Sequence, residues 1–152
     1  MIDSRHPQHE HDTALELATV GDVMSRGVIG CPPETSLRGV ARLMTTFGVH
    51  AIFVLEHTDE DDEAPQLWAV VSDLDLVAAT RLDLDRVTAG SAAVTPLVTV
   101  DAEESIANAG DIMAQHGIAH LAVTDSSSHR PVGVISTLDI ARAVAAADTP
   151  AS

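Results

Sequence analysis

The chain contains one segment twice, and this duplication limits the folds open to it more than any other feature. Gly48–His50 matches Gly117–Ala119 at a spacing of 69 residues, whereas Ser72–Asp75 matches Ser136–Asp139 at a spacing of 64. The first copy therefore carries about five extra residues between these anchors, and the acidic stretch 56–66 accounts for them as a surface loop. A repeat of this length indicates one structural unit used twice.

Hydrophobic periodicity predicts the same order of elements in both copies. An amphipathic stripe predicts a helix that stops at a glycine, because glycine adopts the left-handed conformation that ends helices. Two short apolar runs then predict buried strands, and an Ala- and Leu-rich segment predicts a second helix. A shorter strand precedes the first helix, so each copy is predicted as β-α-β-β-α within an α/β fold. The predicted elements are strand 28–29, helix 35–47, strands 51–55 and 67–71 and helix 73–82, then strand 97–100, helix 104–116, strands 120–124 and 132–135 and helix 137–147.

The charge balance excludes several classes of partner. Of 152 residues, 23 are acidic and 8 are basic, which gives a formal net charge of −15 at pH 7, and no basic residue is a lysine. Such a field repels phosphate, so we expect no binding to a nucleic acid polymer or an anionic membrane. The single cysteine, Cys31, rules out an intramolecular disulfide and suits a reducing compartment. No signal peptide or membrane-spanning run is recognisable, and we expect a soluble cytoplasmic protein.

The duplication also sets the expected domain boundaries. A compact unit should begin where the match between the copies begins and end where the second helix ends. We expect an N-terminal tail at 1–18, a first repeat at 19–82, a linker at 83–87, a second repeat at 88–147 and a C-terminal tail at 148–152.

The two copies together resemble a tandem pair of CBS domains (cystathionine-β-synthase domains), the arrangement called a Bateman module. The resemblance is carried by Gly48–Val54 with Ala69–Asp75 and by Gly117–Val123 with Gly133–Asp139. It implies a regulatory fold in which two repeats pack about a pseudo-two-fold axis. It also implies clefts between the repeats that commonly bind adenosine-containing ligands.

The Ser-x-x-Asp motif admits two interpretations. Ser72 with Asp75, and Ser136 with Asp139, fit a capping box, in which the serine caps the helix and the acid returns the bond. The resemblance implies instead that the aspartate accepts hydrogen bonds from ribose hydroxyls, while the serine and helix N–H groups meet phosphate. It also implies that Gly133 lets the backbone approach a ligand. Because the first copy has Ala69 at that place, we expect the second copy to hold the tighter site.

Two histidines are further candidates for ligand contact. His120 stands where polyphosphate-binding relatives often have a basic residue, and the first copy has Ala51 there. A histidine could neutralise one phosphate, since its charge is easily tuned. The alternative is that His120 and His50 are partly buried structural residues at strand starts. With so few cations, a monophosphate or a nucleoside derivative is easier to hold than a triphosphate.

The sequence offers no convincing catalytic group and no metal site. Neither copy combines a nucleophile with a base, so we expect no enzymatic activity. His6, His9 and His11 cluster in the N-terminal tail, where a divalent metal site is one interpretation and disorder is the other. We expect disorder and no bound metal.

The functional hypothesis is a stand-alone regulatory module that binds an adenosine-containing ligand between its repeats. AMP fits best, and ADP, ATP and S-adenosylmethionine are further candidates, whereas no permanent cofactor is expected. The small apolar residues Ala141, Val144 and Ala145 on the last helix indicate a homodimer. The alternative is a ligand-free structural module whose duplicated fold serves only for assembly.

Overall fold

Each copy folds as a β-α-β-β-α unit, so the predicted element order and the α/β class are confirmed, but the first strand lies at Gly30–Cys31 and not at the predicted 28–29. The structure is a computed structural model and describes residues 15–56, 66–94 and 97–147. The predicted loop at 56–66 lies mostly outside this part. The elements are α1 (Val20–Val23), β1 (Ser25–Arg26), β2 (Gly30–Cys31), α2 (Leu37–Phe47), β3 (Ala51–Glu56), β4 (Gln66–Ser72), α3 (Asp73–Ala78), α4 (Ala89–Ala92), β5 (Thr99–Asp101), α5 (Ile106–His116), β6 (His120–Thr124), β7 (Pro131–Ser136) and α6 (Thr137–Ala147).

The long helices α2 and α5 are bounded by the same residue types. Ser36 and Ser105 are their N-caps, and each hydroxyl accepts an N–H from the first turn at 3.1 Å. Both helices therefore begin two residues later than predicted, since the serine side chain ends the extended segment. Gly48 and Gly117 end them in the left-handed region with φ of 64° and 62°. The predicted glycine terminators are confirmed.

The helix α3 is shorter than its prediction. It ends at Ala78, whereas the sequence predicted a helix as far as Leu82. The Ala79 N–H donates to Leu76 O, and the Thr80 hydroxyl donates to Val77 O at 3.0 Å. These i to i+3 contacts tighten the chain into turns, so the α-helical ladder does not continue.

Two small sheets carry the strands. One has the order β2-β3-β4 and the other β1-β7-β6-β5. In each, the strand before the long helix pairs in parallel with the strand after it, and the next strand is antiparallel. A parallel pair joined by a helix is the geometry that a β-α-β crossover requires. The strand β1 adds an antiparallel edge to β7 that the sequence did not predict.

The first compact unit combines the second repeat with the chain segment that precedes the first. It comprises the described residues of 1–27 and 98–152. The Val20 N–H donates to Glu104 O at 2.8 Å, and the Ile106 N–H donates to Ala18 O at 3.0 Å. These bonds satisfy N–H groups at the start of α1 and α5 that have no partner within their own helices.

The second compact unit, Val28–Leu97, repeats this arrangement. The Ala89 N–H donates to Thr35 O at 2.7 Å, and the Leu37 N–H donates to Val87 O at 2.9 Å. In each unit, the first residues of one sequence repeat therefore exchange backbone hydrogen bonds with the start of the long helix of the other repeat. Two separate apolar cores follow, one per unit. The core cluster of the second unit contains Cys31, Leu37, Val40, Met44, Ile52, Val54, Val71, Ala79 and Ala89, and that of the first contains Val20, Val100, Ala109, Met113, Ile118, Leu121, Val123 and Ile135.

A search of the described helices finds none with the length and apolar character needed to span a bilayer.

Candidate functional site

The Ser136–Asp139 pair forms a cap at the start of α6, in which Asp139 is buried and Ser136 is half-buried. The Ser136 N–H donates to Asp139 Oδ2 at 2.8 Å, and its hydroxyl donates to the same oxygen at 3.0 Å. The Asp139 N–H donates back to Ser136 Oγ at 3.2 Å. Asp139 is 8% exposed, and its other oxygen, Oδ1, lies 3.9 Å from Arg142 Nη1. The hydrogen bonds of the capping interpretation are thus present in the structure, and those that Asp139 accepts from Ser136 end on Oδ2 and not on Oδ1.

The Ser72–Asp75 pair repeats the cap at the start of α3. The Ser72 N–H donates to Asp75 Oδ2 at 3.0 Å, and the Asp75 N–H donates to Ser72 Oγ at 3.2 Å. Both residues are buried. The two motifs therefore have the same local geometry, one in each compact unit, and each holds a carboxylate at the positive end of a helix dipole.

The packing of β1 against β7 explains why position 133 is a glycine, which the sequence did not reveal. It lies opposite Arg26 in the β1–β7 pair, and a Cβ atom at Gly133 would stand 2.5 Å from Ser25 O and 2.7 Å from Met24 Sδ. The edge strand β1 therefore requires a glycine at this place. A role for Gly133 in ligand approach stays a prediction.

The two histidines occupy different surroundings. His120 begins β6 and lies directly opposite Ser136 in the strand register, which brings it next to the second-copy cap. His50 precedes β3, and its Nδ1 lies 3.2 Å from Asp73 Oδ2, with the His50 side chain 72% exposed. The Asp73 N–H also donates to His50 O at 2.9 Å. His50 is therefore an exposed residue at the start of α3, which differs from the partly buried structural role considered for it.

A cavity of about 450 Å³ lies near the second-copy cap in the chain, although neither Ser136 nor Asp139 lines it. It opens between α5 and α6, within the range of volumes typical of small-molecule sites. Thr137 and Ile140, which flank Ser136 and Asp139 in the chain, are part of its wall. The lining residues are Gly110, Met113, Ala114, Gly117, Ile118, Ala119, Thr137 and Ile140.

Gly110 is one of the residues that line this cavity, and the sequence interpretation missed it. It lies inside α5, where glycine costs about 1 kcal/mol relative to alanine. Its φ is not positive, and the nearest atom to a Cβ there would be Ile140 Cδ1 at 4.0 Å. Neither backbone conformation nor close packing therefore requires a glycine. A glycine within an amphipathic stripe was the one signal that pointed to the cavity.

The pKa shifts of three groups have clear structural causes, and none of the three belongs to either cap. The backbone N–H of Ser128 hydrogen-bonds Asp125 and lowers the pKa of that carboxyl. The Arg38 guanidinium binds Asp85 at 2.5 and 3.3 Å, which lowers the pKa of Asp85. Burial raises the pKa of the Cys31 thiol. These shifts reflect structural contacts that fix the turn, the linker and the core.

The described residues hold no group of three or more His, Cys, Asp and Glu side chains placed to bind a metal ion. His6, His9 and His11, for which a tail metal site was considered, lie outside the described residues.

Comparison with known proteins identifies the family. The CBS domain model matches residues 20–81 and 89–146. Hypoxic response protein 1 of Mycobacterium tuberculosis is 32% identical over 129 residues, which cover 83% of this chain and 85% of that protein. A crystal structure of Hypoxic Response Protein I, with two coordinated zinc ions, is 29% identical, has a TM-score of 0.61 and covers 82% of this chain and 98% of that one.

Two further solved structures carry adenosine-type ligands. PAE2072 from Pyrobaculum aerophilum, complexed with AMP, is 26% identical with a TM-score of 0.69 and covers 85% of this chain and 99% of that one. The CBS domain pair of MJ0100, with 5′-methylthioadenosine and S-adenosyl-L-methionine, is 18% identical with a TM-score of 0.72 and covers 86% and 98%, which shows the fold alone. Two matched segments, the repeated elements and these neighbours agree, and the chain belongs to the CBS domain family as a tandem CBS pair.

Proposed function

We propose that this chain is a regulatory CBS pair that binds an adenosine-type ligand at the Ser136–Asp139 cap. The observation that carries the proposal is a buried carboxylate, Asp139 at 8% exposed, held at the start of the helix α6. The AMP bound by PAE2072, a relative at 26% identity, supports an adenosine moiety. The repeat boundaries 19–82 and 88–147 remain the proposed division into CBS domains.

The chemistry of the proposed contact follows from the cap. A carboxylate accepts hydrogen bonds only, and a ribose offers two adjacent hydroxyl donors. Both bonds from Ser136 end on Oδ2 of Asp139, so Oδ1 is the oxygen proposed to receive a ribose hydroxyl. Binding there would leave the helix cap intact. His120, opposite Ser136, is proposed as the neighbouring polar contact.

A second and weaker site is proposed at the first-copy cap. Ser72 and Asp75 reproduce the bonds of the second copy. His120, however, has the counterpart Ala51 in the first copy, which offers no polar side chain next to the cap. We therefore place the tighter site in the second copy.

We further propose that the module works as a cytoplasmic homodimer without enzymatic activity. Exposed apolar side chains support self-association: Leu138 is 54% and Val144 is 46% exposed on α6, and Ala141 is exposed between them. Leu74 on α3 is 74% exposed. Burying such faces against a second copy removes apolar area from water, and a specific contact would need to exceed about 1,000 Å².

One observation favours the rival function, a structural module that binds no ligand. Both aspartates already accept bonds from their own serine, so the caps are complete as they stand. In that case the motif would serve helix stability alone.

A ligand screen separates the two functions. A thermal-shift series with AMP, ADP, ATP, S-adenosylmethionine and NAD on the full chain should show stabilisation by at least one adenosine compound, because a ligand that binds only the folded state raises its stability. Excess absorbance at 260 nm in the purified protein, which has one Trp and no Tyr, would reveal a co-purified nucleotide. No shift with any compound and no 260 nm excess would leave the structural module as the function.

A further inference from the structure

We propose that the cavity between α5 and α6 is a groove that receives the first repeat of a second copy, so that the dimer pairs unlike repeats. This pairing rests on the homodimer proposed above and names the surfaces that meet in it. It is independent of the ligand proposal, since neither Ser136 nor Asp139 lines the groove. The sizes and charges that the two copies place on the same face carry it.

The groove is apolar and open to water. All the residues that line it are uncharged, and Met113 and Ile118 among them are buried. Ala114, Gly117 and Ala119 in the same lining are exposed. In a chain with 23 acidic residues, an uncharged groove with an exposed wall of small residues is typical of a surface that another apolar surface covers.

The corresponding face of the first copy carries larger side chains. Three residues that line the groove have larger counterparts at the repeat spacing of 69 residues. They are Gly110, Ala114 and Ala119, which correspond to Ala41, Thr45 and His50. Ile118 has the smaller counterpart Val49, but Ile118 is buried and contributes little to the exposed surface. The same face is therefore hollow in the second copy and filled in the first.

The first copy also exposes large apolar side chains next to this face. Phe47 at the end of α2 is 55% exposed, and Leu74 and Val77 on α3 are 74% and 61% exposed. At the repeat spacings their counterparts in the second copy are His116, Leu138 and Ala141. Burial of the first-copy side chains against an apolar groove removes apolar area from water. The first repeat thus offers the projecting apolar groups that suit the groove of a second copy.

Contact between unlike repeats packs better than contact between like repeats. Two second-repeat faces would bring two grooves together and leave a void, which forfeits packing contacts. Two first-repeat faces would bring projecting side chains together and hold the surfaces apart. A first-repeat face against the groove sets a filled surface against a hollow one.

The charges on the two faces favour the same pairing. Arg42 on α2 corresponds to Asp111 on α5, and both side chains are exposed. Contact between like repeats therefore brings charges of the same sign together, whereas contact between unlike repeats brings Arg42 towards Asp111. Asp85 of the linker, which Arg42 also attracts, is already bound by Arg38. With a net charge of −15 on each copy, a contact between opposite charges counteracts the repulsion between copies.

Crosslinking of two cysteine variants of the full chain tests which faces meet. Thr45→Cys places a thiol on the first-repeat face, and Ala114→Cys places one in the groove. After the two variants have been mixed and have exchanged subunits, a short bis-maleimide should link copies in the mixture and not in either variant alone. The parent chain is the control for the native Cys31, which is 5% exposed.

A matched pair of arginine variants tests the groove itself. Ala114→Arg places a long charged side chain in the groove, and Gln115→Arg adds the same charge at the next residue of α5, which is exposed and does not line the groove. Sedimentation over a concentration series should show that Ala114→Arg weakens the dimer at least about tenfold, whereas Gln115→Arg stays within about threefold of the parent. Melting temperatures show that both variants are folded.

The outcomes separate this pairing from the proposed function. A monomer at every concentration would contradict the homodimer and the pairing with it, and would leave the ligand proposal untouched. Crosslinks in each variant alone that equal those in the mixture would overturn the pairing of unlike repeats and leave the homodimer standing. Equal dimer affinities of folded Ala114→Arg and Gln115→Arg would overturn the role of the groove.

Discussion

Gly133 packs against Ser25 so closely that a Cβ atom on Gly133 would stand 2.5 Å from the Ser25 carbonyl oxygen. The contact joins the central strand β7 to the edge strand β1, whose register pairs Arg26 with Gly133. Because a backbone carbonyl cannot rotate away as a flexible side chain does, this place in the sheet accepts only glycine without a shift of β1.

Gly133→Ala should therefore destabilise the fold by about 1–3 kcal/mol, the usual cost of overpacking. Gly110→Ala is the matched control, since its Cβ meets nothing closer than 4.0 Å and the helix gains about 1 kcal/mol from alanine. Urea unfolding of both variants measures the difference. A Gly133→Ala protein that unfolds like the parent but binds ligand poorly would show that this glycine serves ligand approach instead.

The turn after β6 should make stability depend on pH in the acid range. Asp125 Oδ2 accepts N–H bonds from Ser127 at 3.1 Å and from Ser128 at 2.9 Å, and these contacts lower its pKa below the ordinary 3.8. A carboxyl with a lowered folded pKa stabilises the fold above its unfolded pKa and loses that contribution as pH falls below about 3.8 towards the folded value. Asp125→Ala should thus be less stable than the parent at pH 7, and the gap should shrink below pH 3.8.

Urea unfolding of the parent and Asp125→Ala at several pH values between 7 and 2.5 measures this gap. Asp111→Ala, an exposed carboxylate on α5, controls for the simple loss of charge. A gap between parent and Asp125→Ala that stays constant down to pH 2.5 would contradict the assignment of the turn bonds to the ionised carboxylate.

Added salt should stabilise this protein. A net charge of −15 on 152 residues is self-repulsive, and screening shortens the Debye length from about 10 Å at 0.1 M to about 3 Å at 1 M. The exposed Arg38–Asp85 ion pair should weaken under the same conditions, but one exposed pair contributes little. We expect the melting temperature to rise between 0.1 and 1 M NaCl. A flat or falling melting temperature would mean that local pairing already compensates the charge.

Cys31 should react slowly with thiol reagents. It ends β2 in the core of its unit at 5% exposure, and burial raises the pKa of its thiol. The reactive thiolate is therefore both scarce and covered. With a chromogenic disulfide at pH 8, the native protein should react at least about tenfold more slowly than the same protein unfolded in urea. Equal rates would show that β2 opens readily.

The sequence predicted the helices and strands better than it predicted which segments pair with one another. The ends of α2 and α5 at Gly48 and Gly117 followed from the conformation that glycine adopts there, and both were confirmed with positive φ. The pairing of the first residues of one repeat with the long helix of the other was not predictable, because bonds such as that from the Val20 N–H to Glu104 O join residues distant in the chain. The strand β1 has two residues, too few for any periodicity to indicate it.

In the candidate site, too, the local feature was predictable from the sequence and the three-dimensional one was not. The Ser136–Asp139 cap was predictable from spacing alone, since a serine three residues before an acid suits a helix start. The cavity near it in the chain was not, because an empty space leaves no periodic pattern. Gly110 was its one trace in the sequence, and only the atoms around its Cα show that no packing demands a glycine there.

Calorimetric affinity of Asp139→Ala, measured beside Asp75→Ala with both 5′-methylthioadenosine and AMP, tests the proposed site most directly. Each variant should lose about 1 kcal/mol of stability, because each removes one side of a helix cap. Asp139→Ala should also lose about 1–3 kcal/mol of binding, or roughly 5- to 150-fold, since a ribose hydroxyl would be left without its acceptor. Asp75→Ala should lose less. If Asp139→Ala lowers the melting temperature of the unliganded protein but binds both compounds as the parent does, the aspartate is a helix cap only and the proposed ligand site is wrong.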